Sequence, residues 1–327
     1  MPERSTISQV VQIGVESVEG QVSPANKLLQ ALSITPTLNA ETADFRPMGN
    51  KYRTLIIPGK EWVTADLAGQ AVFDEIQYPL ASLLGASVDT VVQTTGQQHV
   101  FTPSSSAEDA AKSFTVEQGS AVRAHRFVGG VVSTLGMEFT RSSIDLSGSM
   151  IGTGFVDGAT LTATPTAIPL IPMLPAQVNV YLDATSVALG TTKFLRALQV
   201  GFGLSDKYGP LWTLNSAVTG YAARIETEPK AEGHLMVEAD AAGMGLLAVL
   251  RAGATRFLRI EVLSTQAIGA GPAVYSAQFD FAIKFNAWNT FADQDGVYAV
   301  DLPFTIIHDG GWGKALQVTL TNSLATL

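Results

Sequence analysis

Two stretches of this chain read alike. Residues Lys27 to Ile34 spell KLLQALSI, and Lys193 to Val200 spell KFLRALQV, an offset of 166. The same offset carries Asp74 onto Asp240, Leu80 onto Leu246, Leu83 onto Val249 and Leu84 onto Leu250. Ten residues then drop out of the second copy. An offset of 156 pairs Phe101 with Phe257, Phe127 with Ile283, Leu135 with Phe291, and Ile144-Asp145-Leu146 with Val300-Asp301-Leu302. Repetition at this distance constrains the fold more than any other feature, because whatever the first half builds the second must build again. Residues 156–177 separate the copies and contain Pro165, Pro169, Pro172 and Pro175. Such a segment can neither feed a sheet regularly nor continue a helix, so it reads as an extended linker. Its apolar residues Ile168, Leu170, Ile171, Met173 and Leu174 imply that it lies against protein. The expected organisation is an N-terminal arm over 1–11, a module over 12–155, the Pro-rich linker, and a second module over 178–327.

Each copy is mostly strand. From Ala273 to Phe285 the apolar residues fall on every second position, with Ser276, Gln278, Asp280 and Lys284 between them. A period of two means a strand with one buried face. Arg256 to Val262, Tyr298 to Ile306 and Leu316 to Leu320 alternate as well, with Asp309 to Gly313 supplying a turn. In the first copy Val63, Ala65, Leu67, Ala71 and Phe73 oppose Thr64, Asp66 and Gln70, and two more strands are expected near 131–139 and 143–152. One helix interrupts each copy. Asp74 and Asp240 are candidate N-caps, after which Ile76, Leu80, Leu83 and Leu84 fall on one helical face. The expected fold is mainly β: two tandem β-sandwich modules, each with one packed α-helix, joined by the Pro-rich linker.

Composition narrows the function. Apolar residues make up 46% of the 327 and charged residues 15%, with a mean hydropathy of +0.22. No run approaches the roughly 18 apolar residues of a membrane-spanning helix, and the N-terminus lacks a signal-peptide pattern. The excess apolar surface is therefore expected in a large core or in subunit contacts, which points to a permanent oligomer. The absence of cysteine removes disulfides, thiolate zinc sites and cysteine nucleophiles, as suits a chain made in a reducing cytoplasm. A net charge of −9 argues against gripping a phosphate backbone.

Catalytic constellations are missing. His99, His125, His234 and His308 are scattered, with no metal-binding spacing. Gly148-Ser149-Met150 lacks the spacing of a nucleophile elbow, and Gly269-Ala270-Gly271 lacks the third glycine of a dinucleotide loop. Pro58-Gly59-Lys60 is too short for a phosphate loop, and Asp293 to Gly296 has no downstream glutamate for calcium. Trp62, Trp212, Trp288 and Trp312 sit in or beside apolar strands, where packing is their commoner fate. No catalytic residue, cofactor or metal is expected.

Gly49-Asn50-Lys51-Tyr52, then Ile57 to Trp62, and later Ile225 to Glu232 followed by the Asp240 helix resemble the tail tube proteins of long-tailed bacteriophages, of the duplicated type. The resemblance covers most of the chain as a matter of layout rather than of one short motif. It implies a structural virion protein, made in the host cytoplasm and resident in the phage tail. Its modules would stand side by side in rings, their inner sheets joining around a channel through which DNA passes unbound. Six modules per ring would take three copies of a two-module chain, a pseudo-hexameric trimer, the alternative being six chains. Partners would be further copies, the tape measure, the tail terminator and tail tip proteins. The channel wall is expected to be acidic, with Asp66, Asp145, Glu232, Glu238 and Asp301 as candidate lining carboxylates. The loop from Asn39 to Arg53 and its counterpart Gly203 to Tyr221 are candidates for ring-to-ring contact, through Asp44, Phe45, Arg46, Met48, Tyr208 and Trp212. Three rivals stay open: a capsid decoration or other virion β protein, a carbohydrate-binding β-sandwich, and a hydrolase with paired carboxylates in a cleft.

Overall fold

The alternating stretches are strands, and their apolar positions point inward. The computed structural model describes residues 6–93, 95–214, 220–325 and 327. The first half begins with β1 (Val10–Val15), β2 (Lys27–Leu29), β3 (Leu32–Phe45) and β4 (Leu55–Gln70), followed by helix α1 (Gln77–Leu83). It continues with β5 (Val88–Gln93), β6 (Gly96–Phe101), β7 (Phe114–Gly119), β8 (Ala124–Phe139), β9 (Ile144–Gly152) and β10 (Gly154–Ala159). The Pro-rich segment holds the end of β10, then β11 (Thr166–Ala167) and a 3-10 turn over Pro175–Gln177. Then come β12 (Val178–Asp183), β13 (Ala197–Ser205), β14 (Tyr208–Leu211), β15 (Ala223–Glu226) and β16 (Lys230–Glu238), followed by helix α2 (Ala241–Arg251). The chain closes with β17 (Arg256–Ala267), β18 (Val274–Phe285), β19 (Ala292–Gln294), β20 (Val297–Ile306) and β21 (Leu316–Asn322).

Two layers enclose the core. One is an unbroken antiparallel run in the order β3, β4, β9, β8, β13, β16, β20, β19. Its middle joint, β8 to β13, joins the two halves of the chain from Val200 opposite Phe139 to Leu204 opposite Leu135. The other layer consists of β11, β2, β1, β7, β8 and β10 in the first half and β12, β17, β18, β21, β6 and β5 in the second. Strand β8 serves both layers. Ala124 to Gly130 pairs in one and Val131 to Phe139 in the other, so one long strand turns the corner between them. The β5–β6 hairpin is covalently part of the first half but extends the sheet of the second, from Phe101 opposite Val318 to Gln97 opposite Asn322.

Gly69 of β4 faces Leu146 of β9, and the residues that the two sequence offsets assign to them, Leu235 of β16 and Leu302 of β20, face each other as well. One strand over, the offset slips: Leu32 faces Gly69, but Val200, two residues past the Leu198 that the offset assigns to Leu32, faces Leu235. Between the layers Phe73, Phe101, Phe114, Phe127, Phe279, Phe281 and Phe304 are fully buried. At about 25 cal/mol per Å² such large side chains supply much of the drive to fold. Ile168 and Met173 of the Pro-rich segment are buried too, and Val72 bridges to Pro172.

Two expectations need correction. Asp74 does not cap α1, which starts at Gln77 behind Ile76 with no side-chain cap. Asp74 is instead fully buried, and its Oδ1 accepts from the amide and hydroxyl of Ser323. All seven residues of α1 are buried, so its first turn is met by protein rather than by a surface cap. Asp240 does cap α2, accepting from the Gly243 amide at 2.8 Å. Second, Asn39 to Arg53 is not all loop: Asn39 to Phe45 belongs to β3, and the loop proper is Arg46 to Arg53. Strands β3 and β4 continue pairing out to Phe45 opposite Leu55. Residues 40–60 are exposed on both faces, so no burial period marks them in the sequence.

Candidate functional site: a polar sheet face and a projecting arm

The eight-strand run has an apolar face and a polar face. Along β4 the buried residues are Val63, Ala65 and Leu67, so Thr64, Asp66 and Ala68 point the other way. The same alternation puts Asp145, Ser147 and Ser149 of β9 and Thr134, Gly136 and Glu138 of β8 on the polar side. Register then lines these up across the sheet. Asp66 faces Ser149, Asp145 faces Glu138, Glu138 faces Gly201, and Gly201 faces His234. In the next row Ser147, Gly136, Gly203, Glu232 and Thr305 follow one another. Met236 faces Asp301, and Glu238 faces Ala299. All five carboxylates singled out in the sequence therefore share one face, among small Ser, Thr and Gly residues.

A sixth carboxylate, Glu138, escaped the sequence reading. Its Oε1 lies 3.2 Å from His234 Nε2 and accepts from Gln199 Nε2 at 2.9 Å. The pair spans the joint between the halves, reaching across Gly201. A Cβ there would crowd Glu138 Oε2, so a larger residue would have to push the carboxylate aside. Burial by itself would raise the Glu138 carboxyl, but hydrogen bonds from His234 and Gln199 and the imidazole's charge outweigh it and hold the acid below its usual range. The same hydrogen bond raises His234. No signal in the sequence links positions so far apart. The cations on this face are Lys230 and Lys284, with Arg196 reaching Glu238 at 2.8 Å. Carboxylates outnumber them.

The β3–β4 hairpin projects from the edge of the sheet. Its surface is apolar: Met48 is 99% exposed, Tyr52 73% and Ile56 61%, with Phe45 and Leu55 about half exposed. Asp44 and Arg53 pair across the tip, and Lys60 bonds Glu41 at 3.1 Å nearer the base. Arg46 is exposed beside them. Tyr208 does not belong to this projecting surface, whereas Trp212 stays half-buried under Lys60 of the arm. Tyr208 is only 5% exposed, and its hydroxyl donates to the Leu83 carbonyl at the end of α1. Trp212 packs edge-on against Trp62 and Tyr221 at the arm's base. The Tyr208 ring is spent on intramolecular packing, which the pattern of apolar residues in an expected loop could not distinguish from contact surface. Residues 215–219 of the second expected contact loop lie outside the described residues.

The tryptophans do not line one groove. Trp62 meets Trp212, Trp312 meets Phe257, and Trp288 packs on the core. Among the described residues no group of three or more His, Cys, Asp or Glu could hold a metal, and no helix is long and apolar enough to cross a membrane.

The family model for phage tail tube protein matches residues 6–196, more than half of the chain. The chain belongs to the phage tail tube protein family. It is a structural component of a phage tail, and the family implies self-assembly. A search of curated proteins finds no match. The matched region includes the arm, β4, α1, β8, β9 and the Pro-rich segment, so most of the polar face's first half lies within it.

Proposed function

We propose that the chain is a tandem duplication, and that three copies close a pseudo-hexameric ring whose stacking makes a hollow tail tube for DNA ejection. The observation that carries this is the joint between β8 and β13. There the first half's sheet continues into the second half's without interruption, as a module would continue into its neighbour around a ring. Matching registers in the β4–β9 and β16–β20 pairs support the duplication. A heterologous contact of this kind closes on itself when the rotation permits, and it covers strand edges that would otherwise invite uncontrolled pairing.

The polar face becomes the channel wall. Asp66, Glu138, Asp145, Glu232, Glu238 and Asp301 repel phosphate, and the small residues between them leave no side chain to snag a duplex. A lysine- or arginine-lined wall would instead release counterions at each phosphate and hold the genome. The β3–β4 arm, with Asp44, Phe45, Arg46 and Met48, reaches the next ring and covers its apolar surface there. The ends of the tube would meet the terminator, the tip proteins and the tape measure. The chain would be made in the host cytoplasm before joining the virion.

Duplex DNA titrated onto assembled tubes at physiological salt tests the wall. No measurable binding is expected; tight retention of the duplex would overturn the conduit.

A further inference from the structure

A lysine is almost never buried unless it is paired. Lys207 is the one lysine buried among the described residues, at 2% exposed. It sits in the turn between β13 and β14, just after Asp206, whose φ of +59° is left-handed. That turn swings Lys207 inward while Asp206 stays outside and pairs with Lys230 at 2.8 Å. The Lys207 backbone is pinned on both sides. Its amide donates to the Ser133 carbonyl at 3.3 Å, and its carbonyl accepts from the Thr227 amide at 2.8 Å. A left-handed φ away from glycine costs energy and persists only where the surroundings fix it.

Lys207 is aimed at two carboxylates. Its Nζ lies 2.6 Å from Asp109 Oδ2 and 3.6 Å from Glu226 Oε1. The Asp109 side chain is 8% exposed and that of Glu226 19%. Asp109 is also held from its far side. Its Oδ1 accepts from the Ser104 amide at 2.8 Å, and its own amide donates to Glu226 Oε2 at 2.8 Å. The Tyr208 ring closes the site, its centroid 5.6 Å from Lys207 Nζ. Burial pushes the Tyr208 hydroxyl above its ordinary range, and the Glu226 charge adds to the shift. The three side chains come from both halves of the chain. Asp109 belongs to the segment between β6 and β7, and Lys207 and Glu226 to the base of the β14–β15 hairpin.

An ion pair would need only Lys207 and Asp109. Here an amine, a carboxyl, a second carboxylate near the amine and an N–H on the far oxygen are assembled together, largely out of water. We propose that Lys207 and Asp109 condense to an isopeptide bond. Glu226 Oε1 takes a proton from the Lys207 ammonium, and the freed amine attacks Asp109 Cγ. The charge that gathers on Oδ1 is met by the Ser104 amide. Glu226 passes that proton, and then a second from the same nitrogen, to Oδ2. The Cγ–Oδ2 bond breaks and Oδ2 leaves as water. One ammonium hydrogen stays on the amide nitrogen and two depart in the water, so the step needs no further reactant. Condensation also removes two buried charges whose desolvation the ion pair must keep offsetting. A chain without cysteine gains a covalent tie between its halves, across 98 residues, that thiols do not reduce. The bond depends on folding alone and not on assembly.

Intact-mass measurement on the purified, folded full-length chain tests it. The mass should fall about 18 Da below that of the sequence, one water lost. Trypsin should then spare Lys207 and release one branched peptide that holds both Asp109 and Lys207. A succinimide at Asp157, Asp295 or Asp309, each followed by glycine, would also lose water, but its peptide would be linear. Lys207→Arg keeps the charge and cannot condense, so it should abolish the branched peptide. Glu226→Gln keeps the side chain's size and removes the base, so it should cross-link roughly 100-fold more slowly. Full mass in the unmodified chain, or water lost only in a linear peptide, overturns the bond, and this holds even if a variant fails to fold. Cross-linking of Glu226→Gln at the unmodified rate overturns the part given to Glu226.

Discussion

Asp74 and Asp240 each stand just before a helix, one in each half of the chain, and they do different work. Asp240 is partly exposed and caps α2 through the Gly243 amide. Asp74 is buried beneath α1 and ties down Ser323 near the chain's end. The next residues differ as well. Glu75 is fully buried, and its carboxylate accepts from the amides of Gln30, Ala31 and Leu32; the residue that follows Asp240 is Ala241, which has no side-chain acceptor to offer. One helix start is a core anchor holding the entry to β3 and the C-terminal strand; the other is a surface element resting on β18. Two similar helix starts therefore need not share their energetics, because burial decides what a carboxylate costs and what it must bind.

The largest effect that would break this comparison comes from Glu75→Ala. It strands one buried amide and two part-buried ones and should cost roughly 2–4 kcal/mol at ~1–3 per unsatisfied donor, less where water can reach. Denaturant unfolding measures it, and a loss under about 1 kcal/mol would mean that the amides find other partners.

Asp74 should show itself through pH. Burial first, then the neighbouring Glu75 charge, pushes its carboxyl up to about 6 against the Ser323 hydrogen bonds, which favour the ionised form. A raised acid binds its proton more tightly in the folded state. Stability from this group is therefore highest below the unfolded value near 4, falls as pH rises to about 6, and is flat above, a change of about 3 kcal/mol at ~1.4 per unit. Asp74→Asn should abolish that slope while keeping an oxygen for Ser323. A variant with an undiminished slope between pH 4 and 6 would relocate the effect to another acid.

Asp240→Ala should cost about 1 kcal/mol, the usual value of a lost cap, read as faster hydrogen exchange in the first turn of α2 alone. Smallest of all, Asp66→Lys on the exposed polar face should change stability by no more than about 0.5 kcal/mol and leave tubes intact. Its effect should fall on DNA delivery, which slows or stops if the face lines the channel. Unchanged delivery from virions carrying it would count against that placement.

Strands with one buried face were legible in the sequence, and so was the placing of Asp66, Asp145, Glu232, Glu238 and Asp301 on polar strand faces, because a period of two survives in any register; that these faces belong to one sheet was not. What pairs with what was not. That β6 joins β21 across the halves depends on long-range edges, not on local pattern. The arm was hidden because residues 40–60 have no inside, and Tyr208 was misplaced because an apolar ring in a loop looks the same whether it docks on its own chain or on another. Asp74 looked like a cap since Asp before a helix usually is one; only Ser323, far away in the sequence, shows otherwise.

Electron microscopy of the purified, assembled full-length chain tests the central claim most directly. The account predicts hollow tubes of stacked rings, three chains to a ring, with Asp66, Glu138, Asp145 and Glu232 facing the lumen and the β3–β4 arm touching the adjacent ring. Tubes with those carboxylates on the outer surface, or isolated particles that never stack, would contradict it.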